Sequence, residues 1–166
     1  MCDENKNNES AELKTVSLLW VQAVLQAATL QGLDESDILT NAGLDKAHLS
    51  DGHGRISLDD TLALWRSIEQ LSKDPLFGFK VGGSLKPSHF QLFASTMLSS
   101  ATLGDAIDKI LKYQRLISDG GVFSMVSQDQ VTTLIYTPSA SNFSYHQIDA
   151  VMVAIHGLAG WLFSRD

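Results

Sequence analysis

Apolar residues recur at three- and four-residue steps over much of this chain. The first such stripe is Val16, Leu19, Trp20, Ala23, Ala27 and Leu30. That spacing is one face of an α-helix. Gly32 is expected to end it, because glycine tolerates the left-handed conformation beyond a helix terminus. The stretch from Thr15 to Leu33 carries no charge, so a membrane span has to be considered. Gln22, Gln26 and Gln31, with Thr15, Ser17 and Thr29, give it a polar face, which favours an amphipathic helix instead.

A local echo comes next. Gly32-Leu33-Asp34 returns as Gly43-Leu44-Asp45. Each glycine can close one helix and each aspartate can cap the next, which predicts short helices over about 35–42 and 46–50. Arg55 to Leu58 reads as an extended lead-in to a further helix. Ser57 and Asp60 stand at capping-box spacing, and Leu58, Leu62, Trp65 and Ile68 form the stripe. Asp74-Pro75 breaks the chain, since a residue before proline avoids the helical region. Leu76 to Val81 is a short apolar segment closed by Gly82-Gly83. This glycine segment is read as a helix stop and turn in preference to a loop lining a ligand site.

Pro87 opens another expected helix, with Phe90, Phe93, Ala94 and Met97 inward. Thr102 caps the next one, whose stripe is Leu103, Ile107, Ile110 and Ile117, with Tyr113 nearby. Gly120-Gly121 stops it. The β-branched, partly alternating runs 122–127 and 131–137, joined by a short polar turn, predict a β-hairpin. An isolated hairpin is marginal, so further strands are expected in sequence beyond this chain. The last stripe is Ile148, Val151, Met152, Ile155, Leu158 and Leu162. It starts at Ser144 with Gln147 in a capping-box pattern and runs to Asp166 with no Gly or Pro stop, as expected of a piece of a longer chain. The fold class is therefore α+β and mainly α: N-terminal helices, a hairpin near 122–137, and a long final helix. Residues 1–14 are expected to be a disordered tail and 15–166 one domain. Trp20, Leu30, Leu62, Trp65, Ile68, Phe93, Ile107, Ile110, Val151 and Ile155 are the expected core.

Composition narrows the function. The chain has 166 residues, 44% hydrophobic and 19% charged, with a net charge of −7 from 12 basic against 19 acidic side chains. It can build a core, and with no basic cluster it is a poor ligand for nucleic acid by itself. One cysteine, Cys2, permits no disulfide framework and fits a reducing cytoplasm. Residues 1–14 do not read as a signal peptide. No nucleophile elbow, P-loop or S-x-x-K motif is present, so no enzyme, cofactor or catalytic residue is expected.

None of the five histidines has metal-ligand spacing. His146 and Asp149, one turn apart, could serve as an acid–base pair, but such a pair is more commonly a solvated face or a helix-start charge effect. His156 reads as a core or pocket histidine. Aromatic residues line apolar pockets but at helical spacing are usually core. The ligand-binding candidates are Trp65, Phe79, His89, Phe90, Phe93, Tyr113 and His156, with the His89–Phe93 segment the most attractive wall.

The ordered motifs GLDESDILTNAGL, LSDGHGRISLDDTLALW, DPLFGFKVGG and LSSATLGDAIDKILKYQRLISD resemble the N-terminal, arabinose-binding-type domain of AraC/XylS regulators, in the ornithine- and virulence-regulator branch. The matching residues include Gly32, Leu33, Asp34, Gly43, Arg55, Trp65, Asp74, Pro75, Gly78, Gly82, Thr102, Gly104 and Tyr113. Phe79 stands where that family usually has leucine, and Asp105 where it has glutamate. The resemblance implies a bacterial, cytoplasmic domain that senses an unidentified small-molecule effector, forms a homodimer, or does both. Sugars, amino acids and lipids are all effectors in the family. DNA would be contacted only through a C-terminal helix-turn-helix domain that this sequence does not contain, and no membrane is involved. The alternative is a protein–protein dimerisation module that senses nothing.

Overall fold

A computed structural model describes residues 13–50 and 54–163; the side chains at 87, 90–93, 162 and 163 lie outside that description. So do residues 1–12, most of the expected tail. The architecture is α+β and mainly helical. Strand β1 (Thr15–Ser17) leads into α1 (Leu18–Leu30), followed by α2 (Glu35–Ala42) and a 3-10 turn at Lys46–Leu49. Strand β2 (Arg55–Ser57) leads into α3 (Leu58–Ser72), then α4 (Phe77–Ser84). A 3-10 turn at Pro87–Phe90 precedes α5 (Gln91–Leu98), which is followed by α6 (Leu103–Tyr113) and a turn at Gln114–Leu116. Strands β3 (Gly121–Gln128) and β4 (Val131–Pro138) form the hairpin, and α7 (Tyr145–Phe163) closes the set.

Capping chemistry sets most helix starts. Asp34 accepts the Asp37 amide at 3.1 Å and Asp45 the Ala47 amide at 2.9 Å, so the aspartates of the echo cap α2 and the 3-10 turn at Lys46–Leu49. Ser57 and Thr102 do the same for α3 and α6, accepting the amides of Asp60 and Asp105. Gly43 closes α2 in the left-handed conformation at φ 70°, with the Leu44 amide reaching back to the Leu39 carbonyl at 3.0 Å.

The expected first helix starts later than its stripe suggests. Val16 is fully buried in β1, paired antiparallel with Ile56 of β2 and bridged to Ser118 on its other side. Arg55 fastens this strand cluster. Its guanidinium donates to Thr15 Oγ1 (2.6 Å), the Leu116 carbonyl (2.9 Å) and Asp119 Oδ2 (3.2 Å). That clasp fixes the segment 114–119 against β1.

The main core lies among α1 to α4. Trp20, Leu62, Trp65, Ile68 and Ile38 are buried there, and Ala150 of α7 joins them. A smaller cluster of Met97, Ile110 and Phe123 sits between α5, α6 and the hairpin. Val151, Ile155 and Ile107 are half-buried, and the side chain of Phe93 lies outside the described set. Leu30 is 70% exposed, contrary to its place in the stripe. It is the last residue of α1, where the helical face has rotated past its last buried contacts at Ala27 and Ala28.

The segment Gly82-Gly83 is not the turn expected: α4 continues through both glycines to Ser84. The reason is tertiary. Cβ atoms added at Gly78 and Gly82 would strike the backbone of α7, at His146 and at Ala150 respectively, the latter at 2.6 Å. The two helices therefore meet backbone to backbone, and this contact outweighs the low helix propensity of glycine. In the hairpin, Asp129 and Gln130 both adopt positive φ, 49° and 68°, the turn geometry that suits two-residue hairpin loops. Its inner face packs on the smaller cluster through Phe123, Leu134 and Tyr136. Val122, Val126, Val131 and Ile135 are exposed on its other face.

Candidate functional site

Three residues of the stripe predicted for α7, Val151, Ile155 and Leu158, belong to the wall of a cavity. Gln147, Val151, Ala154, Ile155, Leu158 and Trp161 face it, spaced along one side of the helix. Trp20 of α1, Leu85 and Lys86 after α4, Ala94 of α5 and Ile110 of α6 complete three further sides. Ile117 and Ser118, held by the Arg55 clasp, and Gly121, Phe123 and Tyr136 of the hairpin close the rest. The cavity is partly open to solvent and has a volume of about 90 Å³. Lys86 and Trp161, both exposed, mark the mouth.

Two polar side chains of the lining, Gln114 and Ser118, are engaged by backbone groups. The Gln114 amide accepts from the Phe123 N–H and donates to the Phe123 carbonyl, acting as a strand partner for β3. Ser118 Oγ accepts the Gly120 amide at 2.8 Å. Burial pushes the Tyr136 phenol up to about 12, so it remains neutral, and its ring packs on Phe123 with centroids 4.8 Å apart. Gln147 is different. It is 2% exposed and its Oε1 has no hydrogen-bond partner among the described residues. An unpaired buried acceptor is costly, and native structures hold few of them.

The sequence placed Gln147 in a capping box with Ser144. Ser144 does accept from a first-turn amide, that of His146, at 3.3 Å, but its hydroxyl donates to Glu69 at 2.8 Å. The Gln147 side chain lines the cavity instead. Only its position four residues before Val151 on the apolar stripe could have signalled this.

The seven ligand candidates lie elsewhere or outside the described side chains. Trp65 is fully buried in the main core, with Nε1 unpartnered among the described residues. Phe79 is 50% exposed on α4. His89 Nδ1 accepts the Lys86 amide at 3.1 Å. Tyr113 is exposed at the end of α6 with the Lys112 ammonium 5.2 Å from its ring centroid. His156 is exposed on α7. The side chains of Phe90 and Phe93 lie outside the described set. None of the five described candidates is among the cavity's described lining. Among the described residues no three His, Cys, Asp or Glu groups converge as a metal site, and no helix is long and apolar enough to cross a membrane.

His146 is not on a solvated face. It is 1% exposed, and its Nδ1 accepts the Gly78 amide at 3.2 Å, a bond that requires the neutral ring at that atom. Burial holds its pKa below the ordinary 6.5, against the opposing pull of Glu69, Asp149 and Asp74. The unfolded chain therefore binds the proton first as pH falls, so this group's stabilisation is complete above pH 6.5 and declines below it toward the lowered folded value. The unfolding midpoint is expected to drop from pH 7.5 to 5, and to drop less in His146→Gln. Equal slopes in urea titrations of the two proteins would refute this.

Comparison with known proteins gives the same picture at family level. Residues 32–166 match the family described as the arabinose-binding domain of AraC transcription regulators, N-terminal. The chain is 30% identical over 122 residues to the ornithine utilization regulator of Pseudomonas aeruginosa, covering 74% of this chain and 35% of that protein. It is 26% identical over 93 residues to uncharacterized HTH-type transcriptional regulators of Mycobacterium bovis and Mycobacterium tuberculosis, covering 55% of this chain and 27% of each. The chain thus spans between about a quarter and about a third of the length of these relatives. Since the match covers most of the helical domain and the whole cavity-lining α7, the chain belongs to the family of N-terminal arabinose-binding domains of AraC transcription regulators.

Proposed function

We propose that this domain senses a small molecule by enclosing it in the cavity walled by α7, and so biases a DNA-binding domain in the full-length regulator. The observation that carries this is the cavity itself, whose lining is mainly apolar with a few polar side chains, among them Gln114, Ser118 and Tyr136. Apolar pockets with a few placed polar groups are the usual form of small-molecule sites. A ligand that favours one arrangement of the surrounding elements would shift the equilibrium of whatever is attached to them. Such a regulator acts in the bacterial cytoplasm, and as a homodimer it would suit paired DNA half-sites.

Screening the chain against a metabolite panel by thermal denaturation tests the reading. A true effector at 100 times its Kd adds about 2.7 kcal/mol, equivalent to roughly 5–10 °C for a chain of this size. Ala154→Phe fills the cavity and is expected to abolish that shift. If no compound shifts the midpoint and sedimentation instead shows concentration-dependent dimers, the domain is a dimerisation module that senses nothing.

A further inference from the structure

Resting on the sensing role proposed above, we infer that the Tyr136 hydroxyl is the hydrogen-bonding anchor of the cavity, and that the molecule it holds is a small apolar body carrying a carbonyl-type acceptor. The hairpin positions that hydroxyl. Phe123 and Tyr136 are register partners on β3 and β4, and the tyrosine ring reaches diagonally across to Gly121. A Cβ added at Gly121 would strike the ring at Cζ, at Cε2 and at the hydroxyl oxygen itself. Glycine leaves that oxygen its place, and both residues line the cavity. Burial alone raises the phenol's pKa, so no hydrogen bond or charge among the described residues acts on it. The unpartnered side-chain atoms sealed from solvent are Trp65 Nε1 and Gln147 Oε1. The Tyr136 oxygen is not one of them and stays within reach of a ligand. A neutral phenol has a proton to donate, and here the described residues offer no acceptor for it. The rest of the lining is of the same kind. Gln114 engages both ends of its amide on Phe123. Ser118 Oγ accepts the Gly120 amide, which leaves its hydrogen to give. Gln147 has its Oε1 sealed and can present only Nε2, a donor. An acceptor on the ligand therefore meets more partners here than a donor would. Trp20, Ile110, Val151, Ile155 and Leu158 surround the apolar body. Few placed polar groups in an apolar wall are how small-molecule sites fix orientation. A volume of about 90 Å³ suits one small ring, since an engineered apolar cavity of roughly 150 Å³ takes benzene.

Cyclopentanone and methylenecyclopentane isolate the acceptor. They share a ring and an exocyclic double bond, but only the ketone accepts a hydrogen bond. Each is titrated into the chain and into its Tyr136→Phe variant by NMR, followed at the Gly121 and Phe123 amides. Removing the hydroxyl is expected to weaken cyclopentanone about fivefold and to leave methylenecyclopentane within about twofold. Tyr136→Phe should also keep the unfolding midpoint of the ligand-free chain, because the hydroxyl bonds to none of the described residues. Ala154→Phe, which fills the cavity, should remove binding of both probes. Equal weakening of the two probes by Tyr136→Phe, or no weakening of the ketone, overturns the anchor. So does ketone binding that survives Ala154→Phe. A lower ligand-free midpoint in Tyr136→Phe would mean that the hydroxyl is already bonded within the protein, which overturns it too. If neither probe binds, the anchor and the ligand class fall. The sensing reading falls with them only if the metabolite panel is also silent.

Discussion

Gly78→Ala is expected to destabilise the domain by about 3 kcal/mol, the upper end of the usual cost of overpacking. For a chain of this length that lowers the thermal midpoint by roughly 6–12 °C. The single added methyl would overlap His146 Cα at 2.6 Å and its carbonyl carbon at 2.9 Å. These are backbone atoms, so no side-chain rotation relieves the clash, and α4 and α7 must separate. The same separation stretches the bond from the Gly78 amide to His146 Nδ1. Gly83 is the internal control. It lies on the same helix, but an added Cβ meets nothing within 4 Å, so Gly83→Ala should gain up to about 1 kcal/mol from helix propensity alone. Opposite signs for two Gly→Ala changes five residues apart, measured by urea denaturation, are the expected result. Equal effects would mean that backbone contact does not decide how this helix packs.

Trp65→Ala is expected to cost about 3–5 kcal/mol, as large-to-small changes of buried aromatics do, because Trp65 is fully buried in the main core. Trp65→Phe should cost far less. Phenylalanine keeps most of the ring contact and removes the indole N–H, which has no partner among the described residues and is itself unfavourable when buried. Calorimetric midpoints of the two variants check this. A Phe variant as unstable as the Ala variant would mean that the N–H is satisfied, for instance by a bound water.

How much of the fold was legible in the sequence depended on the reach of each interaction. Asp34, Asp45, Ser57 and Thr102 cap helices through atoms two or three residues away, and such local chemistry is written directly in residue order. The hairpin was legible for the same reason, since Asp129 and Gln130 make a polar turn between β-branched runs. The family, too, was legible, because these caps and turns recur in order. Long-range contacts were not. Glycines read as a stop instead continue α4, because α7 arrives from more than sixty residues away to meet them. Gln147 looked like a cap partner, and only the assembled fold shows it facing a cavity. Of the aromatic candidates, Phe79 and Tyr113 are exposed and Trp65 is core, while other aromatic residues, Trp20, Phe123, Tyr136 and Trp161, line the cavity. The side of α7 that encloses the space is mostly aliphatic, and periodicity cannot tell a face that touches a neighbour from one that leaves a gap.

The two hydrophobic clusters differ in extent, and the cavity borders the smaller one, drawing Ile110 and Phe123 from it. Regions with fewer buried contacts open at lower free energy than the molecule as a whole. The cavity wall could thus yield at Ile110 and Phe123 while α1 to α4 stay folded. A molecule entering past Lys86 and Trp161 would then meet a wall that gives way, and the room it finds becomes a property of the smaller cluster, while overall stability is set in the other.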